Sequence, residues 1–330
     1  MIRNVSFVVI AKNEEFGVNK CLSSISKMQL NDCEIICVDS GSTDHTLDVM
    51  KAYADKIKNL RIIQCSGYLN SAVARNAGLK YTTKQHIFFV DGDVELSPDF
   101  ISEALDRMKS GNADAVTGNL DEIVYSDGYK QIIKPRAYRT YYTRVMEISH
   151  CGGIFLVTRQ LAEKVGPWEE RMVRNQDIDF TLRISRNGRF LAIPISIGTH
   201  HTLSYSERPW LHIKKKFPMY FGMLIRNNLD RPKTVLSLLR QNRGHVAGFM
   251  VYGLFLVGIL ATAFLQLPFL YVVFAFSFMV VLDLFWGAVR KKNVFNRFLT
   301  HYLQVLLIVA GIFMSINNKQ SPTIVKQISL

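Results

Sequence analysis

The sequence is short of acid for its size. Lys and Arg number 40 against 27 Asp and Glu, a formal net charge of +13 over 330 residues. A basic balance often means nucleic acid, but no zinc finger, basic zipper or RNP-type motif is present to support that reading. Cysteine is sparse and unpatterned: Cys21, Cys33, Cys37, Cys65 and Cys151 are odd in number and show no CxxC spacing. That excludes a disulfide framework and a zinc site, and leaves reduced thiols in a cytosolic domain. No secretory leader is expected. The first apolar run, in MIRNVSFVVIAKNEE, is about six residues long and meets an acidic pair at once. No internal repeat is visible, which argues against a repeat-built transporter.

What is present divides the chain in three. Residues 1 to about 120 alternate short β-rich runs with amphipathic stretches. The strand candidates are Val5–Ile10, Glu34–Val38, Leu60–Cys65, His86–Val90 and Ala113–Thr117, with helices near 14–27, 43–57, 71–82 and 98–110. Such alternation predicts an α/β fold, a mostly parallel sheet flanked by helices, with ligands beyond the carboxyl ends of the strands. A Gly152-Gly153 turn and a helix starting near Asp177 follow, then a strand-like segment at Phe190–Ile197. The catalytic domain is expected over 1–205.

From 206 to 243 basic residues interleave with Trp210, Phe217, Tyr220 and Phe221, the pattern of amphipathic helices in a membrane interface. The membrane domain is expected over 244–330, with two or three transmembrane helices. Val246–Leu267 and Phe269–Gly287 are each long enough to cross roughly 30 Å of hydrocarbon, and Pro268 joins them as a tight hairpin. Arg240 and Arg243 before, and Arg290, Lys291, Lys292 and Arg297 after, put both ends on the cytoplasmic side of a cell membrane. The third run, Phe298–Ile316, carries His301 and Gln304 and reads equally as a span or a re-entrant segment. Asp283, inside the second span, is either functional or interfacial.

Three polar, carboxylate-bearing loops follow three of the strands: Ala11-Lys12-Asn13-Glu14-Glu15, Asp39-Ser40-Gly41-Ser42-Thr43-Asp44 and Asp91-Gly92-Asp93. Each alone is weak. A Ser/Thr/Asp cluster after a strand is usually a helix cap, and Thr43 or Asp44 is expected to cap the next helix. Together on one sheet edge they make a site. Two Asp residues at i, i+2 suit a hard cation such as Mn²⁺ or Mg²⁺ bridging a nucleoside diphosphate, whose charge grows as the bond to the sugar breaks.

These motifs resemble the inverting family-2 glycosyltransferases of the GT-A fold. VVIAKNEE resembles their N-terminal motif, VDSGSTDHT their nucleotide motif, FFVDGDVEL their Asp-x-Asp, and AVARNAGLKY the stretch between. The segment GGIFLVTRQLAEKVGPWEERMVRNQDIDFTLRISRNG is similar to their acceptor side. The resemblance covers roughly 1–205 and implies a nucleotide-sugar donor, with UDP the expected carrier. It implies that Asp39 bonds the base, that Ala11, Asn13, Glu14 and Ser42 line the nucleotide pocket, and that Arg75 lies near ribose or diphosphate. Asp91 and Asp93 would serve ribose and metal, with one of His200 and His201 completing the metal site. Asp177 matches the catalytic base. Gln176, expected among the residues that bind the nucleotide sugar, stands where the family has an acid; that departure removes a charge beside the base and leaves the orientation of the acceptor hydroxyl open. A carboxylate there would take the acceptor's proton as the hydroxyl attacks the sugar carbon. Asp177 also reads as a helix N-cap, and Asp179 as its partner at the helix dipole.

The segment Ser204–Trp210 lacks the Gln-x-x-Arg-Trp pattern of processive members, so transfer of one sugar per acceptor is expected. The favoured acceptor is a lipid-linked glycan at the cytoplasmic face, in surface polysaccharide or lipopolysaccharide assembly. Polyprenyl phosphate, as in enzymes resembling dolichol-phosphate-mannose synthase, is the alternative. A nucleotidyltransferase is disfavoured because Asn13-Glu14-Glu15 would repel a triphosphate. A non-catalytic membrane protein binding sugar nucleotides is the remaining alternative class.

Overall fold

The computed structural model describes residues 1–137, 141–203, 213–241, 243–265, 268–289, 293–313 and 323–328. The chain forms two units, one of residues 1–205 with 318–330, the other of 206–317. The expectations that rest on Ser204–Trp210 and on Arg290–Lys292 fall outside the described residues.

The first unit is built on one sheet. Its strands are β1 (Val5–Ala11), β2 (Glu34–Asp39), β3 (Leu60–Ser66), β4 (His86–Asp91), β5 (Val94–Leu96), β6 (Ala115–Tyr125), β7 (Ile132–Ala137), β8 (Met146–Glu147), β9 (Phe155–Thr158), β10 (Phe190–Leu203) and β11 (Ile324–Ile328). The order is β8-β10-β6-β9-β4-β1-β2-β3-β11, with β5 on β10 and β7 on β6. The helices are α1 (Glu15–Ser26), α2 (Thr46–Ala52), α3 (Ser71–Leu79), α4 (Pro98–Lys109), α5 (Arg159–Val165) and α6 (Gln176–Asn187).

β1 shows why the sheet is central. All seven residues of VSFVVIA are buried. Side chains alternate across a strand, so Phe7 and Val9 enter one core with Val18 and Leu22 of α1, while Val8 and Ile10 enter a second with Ala74 and Ala77 of α3. A strand covered on both faces reads as a continuous apolar run. α1 buries Val18, Cys21, Leu22 and Ile25, one helical stripe. α4 starts on Pro98 and buries Phe100, Ile101, Ala104, Leu105 and Met108 on the same spacing. Asn70 caps α3 by accepting the Val73 N–H at 3.0 Å. Cys21, Cys33, Cys37 and Cys65 are buried free thiols, and burial pushes the Cys37 thiol up to about 12.

The expected mostly parallel sheet is corrected to a mixed one. β1, β2, β3 and β4 are parallel neighbours, but β9 lies antiparallel between β4 and β6. The reason is local: β9 has only four residues and is joined directly to α5, so it closes the gap without a crossover helix. The strand expected at Ala113–Thr117 starts at Ala115 and runs to Tyr125. The C-terminal boundary is also corrected. The 323–328 segment is not part of a membrane domain, because β11 pairs antiparallel with β3, from Ile324 opposite Ser66 to Ile328 opposite Ile62.

The second unit is helical: α7 (Phe217–Arg226), α8 (Pro232–Gln241), α9 (Arg243–Leu265), α10 (Phe269–Val289) and α11 (Val294–Phe313), the last with a π turn at Leu299–Leu303. Counting fully described residues alone, the stretch Val294–Phe313 is long and apolar enough to cross a membrane, and the apolar parts of α9 and α10 counted the same way, Gly248–Leu260 and Leu270–Trp286, are shorter than the helices themselves. α7 buries Tyr220, Phe221, Met223, Leu224 and Ile225, so two of the aromatics expected at an interface, Tyr220 and Phe221, are packed inside this unit, while Phe217 is half-buried.

Candidate active site

The site grows from strand register. Ala11 lies opposite Asp39, and Ile10 opposite Asp91, so β1, β2 and β4 end level and their three loops emerge side by side. Two of these loops are sewn together. Asn13 N–H donates to Ser42 Oγ at 3.0 Å, and Thr43 N–H donates to Asn13 Oδ1 at 2.8 Å. Thr46 Oγ1 accepts the Glu14 N–H at 2.8 Å and donates to Asp44 Oδ1 at 2.6 Å. Asp44 also accepts the Thr46 N–H at the start of α2, at 3.0 Å, while Thr43 is engaged by Asn13. Asp39 is fully buried and accepts the Ser42 N–H at 3.2 Å.

Arg75 reaches this edge from α3. It is 3 % exposed, donates to Asp91 Oδ1 at 2.5 Å, and stacks over Trp168 at 4.7 Å. A side chain at Gly153 would overlap its guanidinium, so that turn requires glycine. The Arg75 Nε and Nη1 groups have no hydrogen-bond partner. Burial raises the Asp91 carboxyl above its ordinary range, against the pull of Arg75 and with the push of Asp93.

Of the two adjacent histidines, His200 faces Asp93, with Nε2 2.9 Å from Asp93 Oδ2. Its Nδ1 lies 3.3 Å from Glu122 Oε1. His201 turns the other way, to the Tyr125 hydroxyl at 2.9 Å and Glu95 at 3.1 Å, and is corrected as a metal ligand for that reason. Alternation along β10 sends neighbours to opposite faces. The strand is bent into place at a bulge around Gly198, where a Cβ would overlap the Glu95 carbonyl. Burial works against a charge on His200, but Asp93, Asp91 and Glu122 together push it up to about 9.

The Asp93–His200 pair fits a cation. Two ligands held at about 2.1 Å and 90° by one ion lie about 3 Å apart, and these two atoms are 2.9 Å apart. Asp93 Oδ1 is buried with no partner. Buried carboxylate oxygens are normally satisfied, so an orphan asks for a ligand. Among the described residues no group of three or more His, Cys, Asp or Glu could hold a metal. An ion there would therefore take its other ligands from phosphate and water.

Asp177 stands on the first turn of α6, after Asn175 with a left-handed φ of 61°. It accepts the Ile178 N–H at 2.9 Å. The position of a Cβ at Gly152 is 4.0 Å from Asp177 Oδ2, so the Gly152-Gly153 turn runs between Asp177 and Arg75. Gln176 is buried beside it. Asp179 points away and pairs with Arg183 at 3.1 Å.

Sequence reasoning missed Glu122, Glu95, Tyr125 and Tyr129. Tyr129 donates to Glu14 Oε2 at 3.2 Å and stacks on Phe16 at 4.3 Å. Burial, then the nearby Asp93 charge, raises Glu14 to about 7. Glu122 lies directly opposite His200 in the parallel β6–β10 register. No motif marks these residues; only strand pairing and a fold-back bring them to the edge.

Residues 6–166 match the model of a family described as Glycosyl transferase family 2. The chain is 24% identical over 233 residues to glycosyltransferase AglE of Haloferax volcanii, covering 69% of this chain and 75% of that protein. It is 34% identical over 139 residues to the uncharacterized glycosyltransferase EpsJ of Bacillus subtilis, covering 42% of this chain but only 38% of EpsJ. Among solved structures, S. aureus TarS 1–349 in complex with UDP-GlcNAc is similar in fold, with a TM-score of 0.58, 17% identity and 90% of each chain covered.

Proposed function

The chain is a family 2 glycosyltransferase that uses a nucleotide sugar, and on that premise we propose that it moves a sugar from a UDP-linked donor, with inversion, to a lipid-linked glycan at a cytoplasmic membrane face. The observation that carries the reading is the Asp93–His200 pair with its orphaned carboxylate oxygen, on the same edge as Asp177. TarS supports a UDP-sugar donor, because its structure holds UDP-GlcNAc.

The residues divide the work. Asp39, with Ala11, Asn13, Glu14 and Ser42, takes the nucleoside in the sewn pair of loops. Arg75 keeps Asp91 in place and turns its unpartnered N–H groups to ribose or diphosphate oxygens. Asp93 and His200 would hold Mn²⁺ or Mg²⁺, which would supply positive charge to the departing diphosphate. Gln176 flanks the base without adding a second charge. Asp177 accepts the proton of the acceptor hydroxyl as its oxygen bonds to the anomeric carbon. The bond from that carbon to the diphosphate oxygen breaks, and its electron pair leaves with the nucleoside diphosphate. One displacement inverts the centre.

The helical unit supports the membrane part of the reading. α9 and α10 have 23 and 21 residues, about 35 and 32 Å at 1.5 Å per residue. Both present large apolar side chains outward, among them Leu254, Val257, Leu260, Phe274, Phe278 and Phe285. A solvent-exposed patch of that kind marks a partner surface, and lipid suits helices of this length.

The test is turnover of purified protein in detergent with Mn²⁺ or Mg²⁺ and a panel of nucleotide sugars, with and without a membrane lipid extract. Metal-dependent release of nucleoside diphosphate that needs the extract, and that Asp177→Asn reduces about 100- to 10,000-fold, is expected. Release that survives Asp177→Asn would instead mean an acceptor already anionic, such as polyprenyl phosphate. Release of pyrophosphate would sink the glycosyl-transfer reading.

A further inference from the structure

We infer that the chain crosses the bilayer twice, through α9 and α10 alone, and that α11 does not cross it. The inference rests on the membrane reading above and decides between two crossings and three.

The first argument is parity. β11 is hydrogen-bonded to β3 over five registered residues, and Thr323 Oγ1 donates to the Tyr68 carbonyl at 2.8 Å. β3 belongs to the sheet that carries Asp39 and Asp91. A strand cannot pair with that sheet from across a bilayer. The number of crossings between β10 and β11 is therefore even. Three apolar helices lie in that interval, so three crossings are impossible. So is a single crossing by α11.

The second argument is what α11 touches along its length. Near its start, Arg297 donates to Asp283 Oδ1 at 2.5 Å. Asp283 is six residues before the end of α10, about 9 Å from it. One turn on, the position of a Cβ at Gly248 would overlap the His301 carbonyl oxygen, and Tyr252 donates to the Tyr302 carbonyl at 3.4 Å. Gly248 is five residues into α9. A crossing helix would next descend past the middle of the hairpin. α11 instead meets α7, which precedes the hairpin in the chain. Side chains at Gly222 and Gly311 would overlap the carbonyl oxygens of Ile308 and Met219 respectively. α11 thus packs near its start on Asp283 of α10 and Gly248 of α9, and near its end on α7.

The third argument is composition against exposure. α11 is two-sided: it buries Leu299, Tyr302, Val305 and Ile308 in protein while Phe295, Leu306 and Phe313 are exposed, and its π turn carries His301 into the Asp283 cluster at 3.0 Å. α9 and α10 turn comparable apolar side chains outward.

The test uses single-cysteine variants of the full chain in a Cys151→Ser background, where the four remaining native thiols are buried. Reference positions are Asp106→Cys on α4 and Gln266→Cys between the two spans; the reporter is Gln327→Cys on β11. With a membrane-impermeant maleimide on intact cells, only position 266 is expected to label; positions 106 and 327 are expected to label after permeabilisation. Because a cysteine in β11 could disturb that strand, a second variant carries Gln64→Cys with Lys326→Cys, which lie opposite each other. Oxidation in native membranes is expected to give a reduction-sensitive mobility shift. Positions 106 and 327 labelling from opposite sides, with no 64–326 cross-link, would overturn the two-span topology while leaving membrane insertion standing. Protein that washes off in alkaline carbonate, with position 266 unlabelled in intact cells, would overturn the membrane reading itself.

Discussion

Asp93 in the sheet unit and Asp283 in the helical unit each hold a histidine, and the rest of their surroundings differ. In the sheet unit, Asp93 Oδ2 is 2.9 Å from His200 Nε2 while Asp93 Oδ1 is buried with no partner. In the helical unit, Asp283 Oδ2 is 3.0 Å from His301 Nδ1, and the same group also accepts from both Arg297 nitrogens and the Tyr302 hydroxyl. A satisfied buried carboxylate ties helices together. One with an oxygen left over is built for something that arrives. Asp283, which the sequence offers as a functional candidate, thus ties its own unit's helices together, while Asp93 keeps an oxygen free for the chemistry proposed above.

The comparison breaks most readily at Asp93. Asp93→Ala should cut metal-dependent turnover roughly 1000-fold, the several kcal/mol that a cation contributes at a developing charge, with an unchanged melting temperature in detergent. A large loss of stability with it would make Asp93 as architectural as Asp283. The converse variant is Asp283→Ala. Removing a partly buried carboxylate that accepts several charge-assisted hydrogen bonds costs about 1.5–3 kcal/mol, so thermal unfolding of the purified protein should move down by several degrees. Its apparent metal affinity should stay at the wild-type value; a shift in that affinity would erase the distinction.

A finer cut concerns the far side of His200. Glu122 accepts from Nδ1, which fixes the ring with Nε2 toward Asp93. Glu122→Gln should weaken Mn²⁺ binding about 10- to 100-fold, read by titration with electron paramagnetic resonance in the presence of UDP. Unchanged binding would remove Glu122 from the site.

The smallest effect is in pH. Glu14 titrates near 7 in the folded chain against 4.5 ordinarily. A carboxyl whose folded value is raised binds more protons folded than unfolded. Its contribution is full below about pH 4.5 and is lost as pH rises toward about 7. Metal-free protein should therefore melt lower at pH 8 than at pH 5 by a margin that Glu14→Gln reduces. An equal margin in the variant would exclude Glu14 as the cause.

Much of this was legible in residue order. Strand–helix alternation, continuous burial of VSFVVIA and the stripes of α1 and α4 are local properties, because side-chain period and backbone propensity act over a few residues. The carboxylate loops after β1, β2 and β4 were legible for the same reason. What failed to show was long-range. β9 enters antiparallel and makes the sheet mixed, β11 returns over a hundred residues to cover β3, and His200 rather than His201 meets Asp93 because of one bulge at Gly198.

The sequence by itself determined that there would be a helix-flanked sheet, a row of acidic loops at its edge and a strongly apolar segment after it. Those follow from periodicity, which a linear chain carries everywhere along its length. Only the tertiary structure decided which carboxylate keeps an unpaired oxygen, which histidine faces it, and where the last strand ends. Those depend on distances between residues 107 to 266 positions apart, and such distances exist only once the sheet has closed.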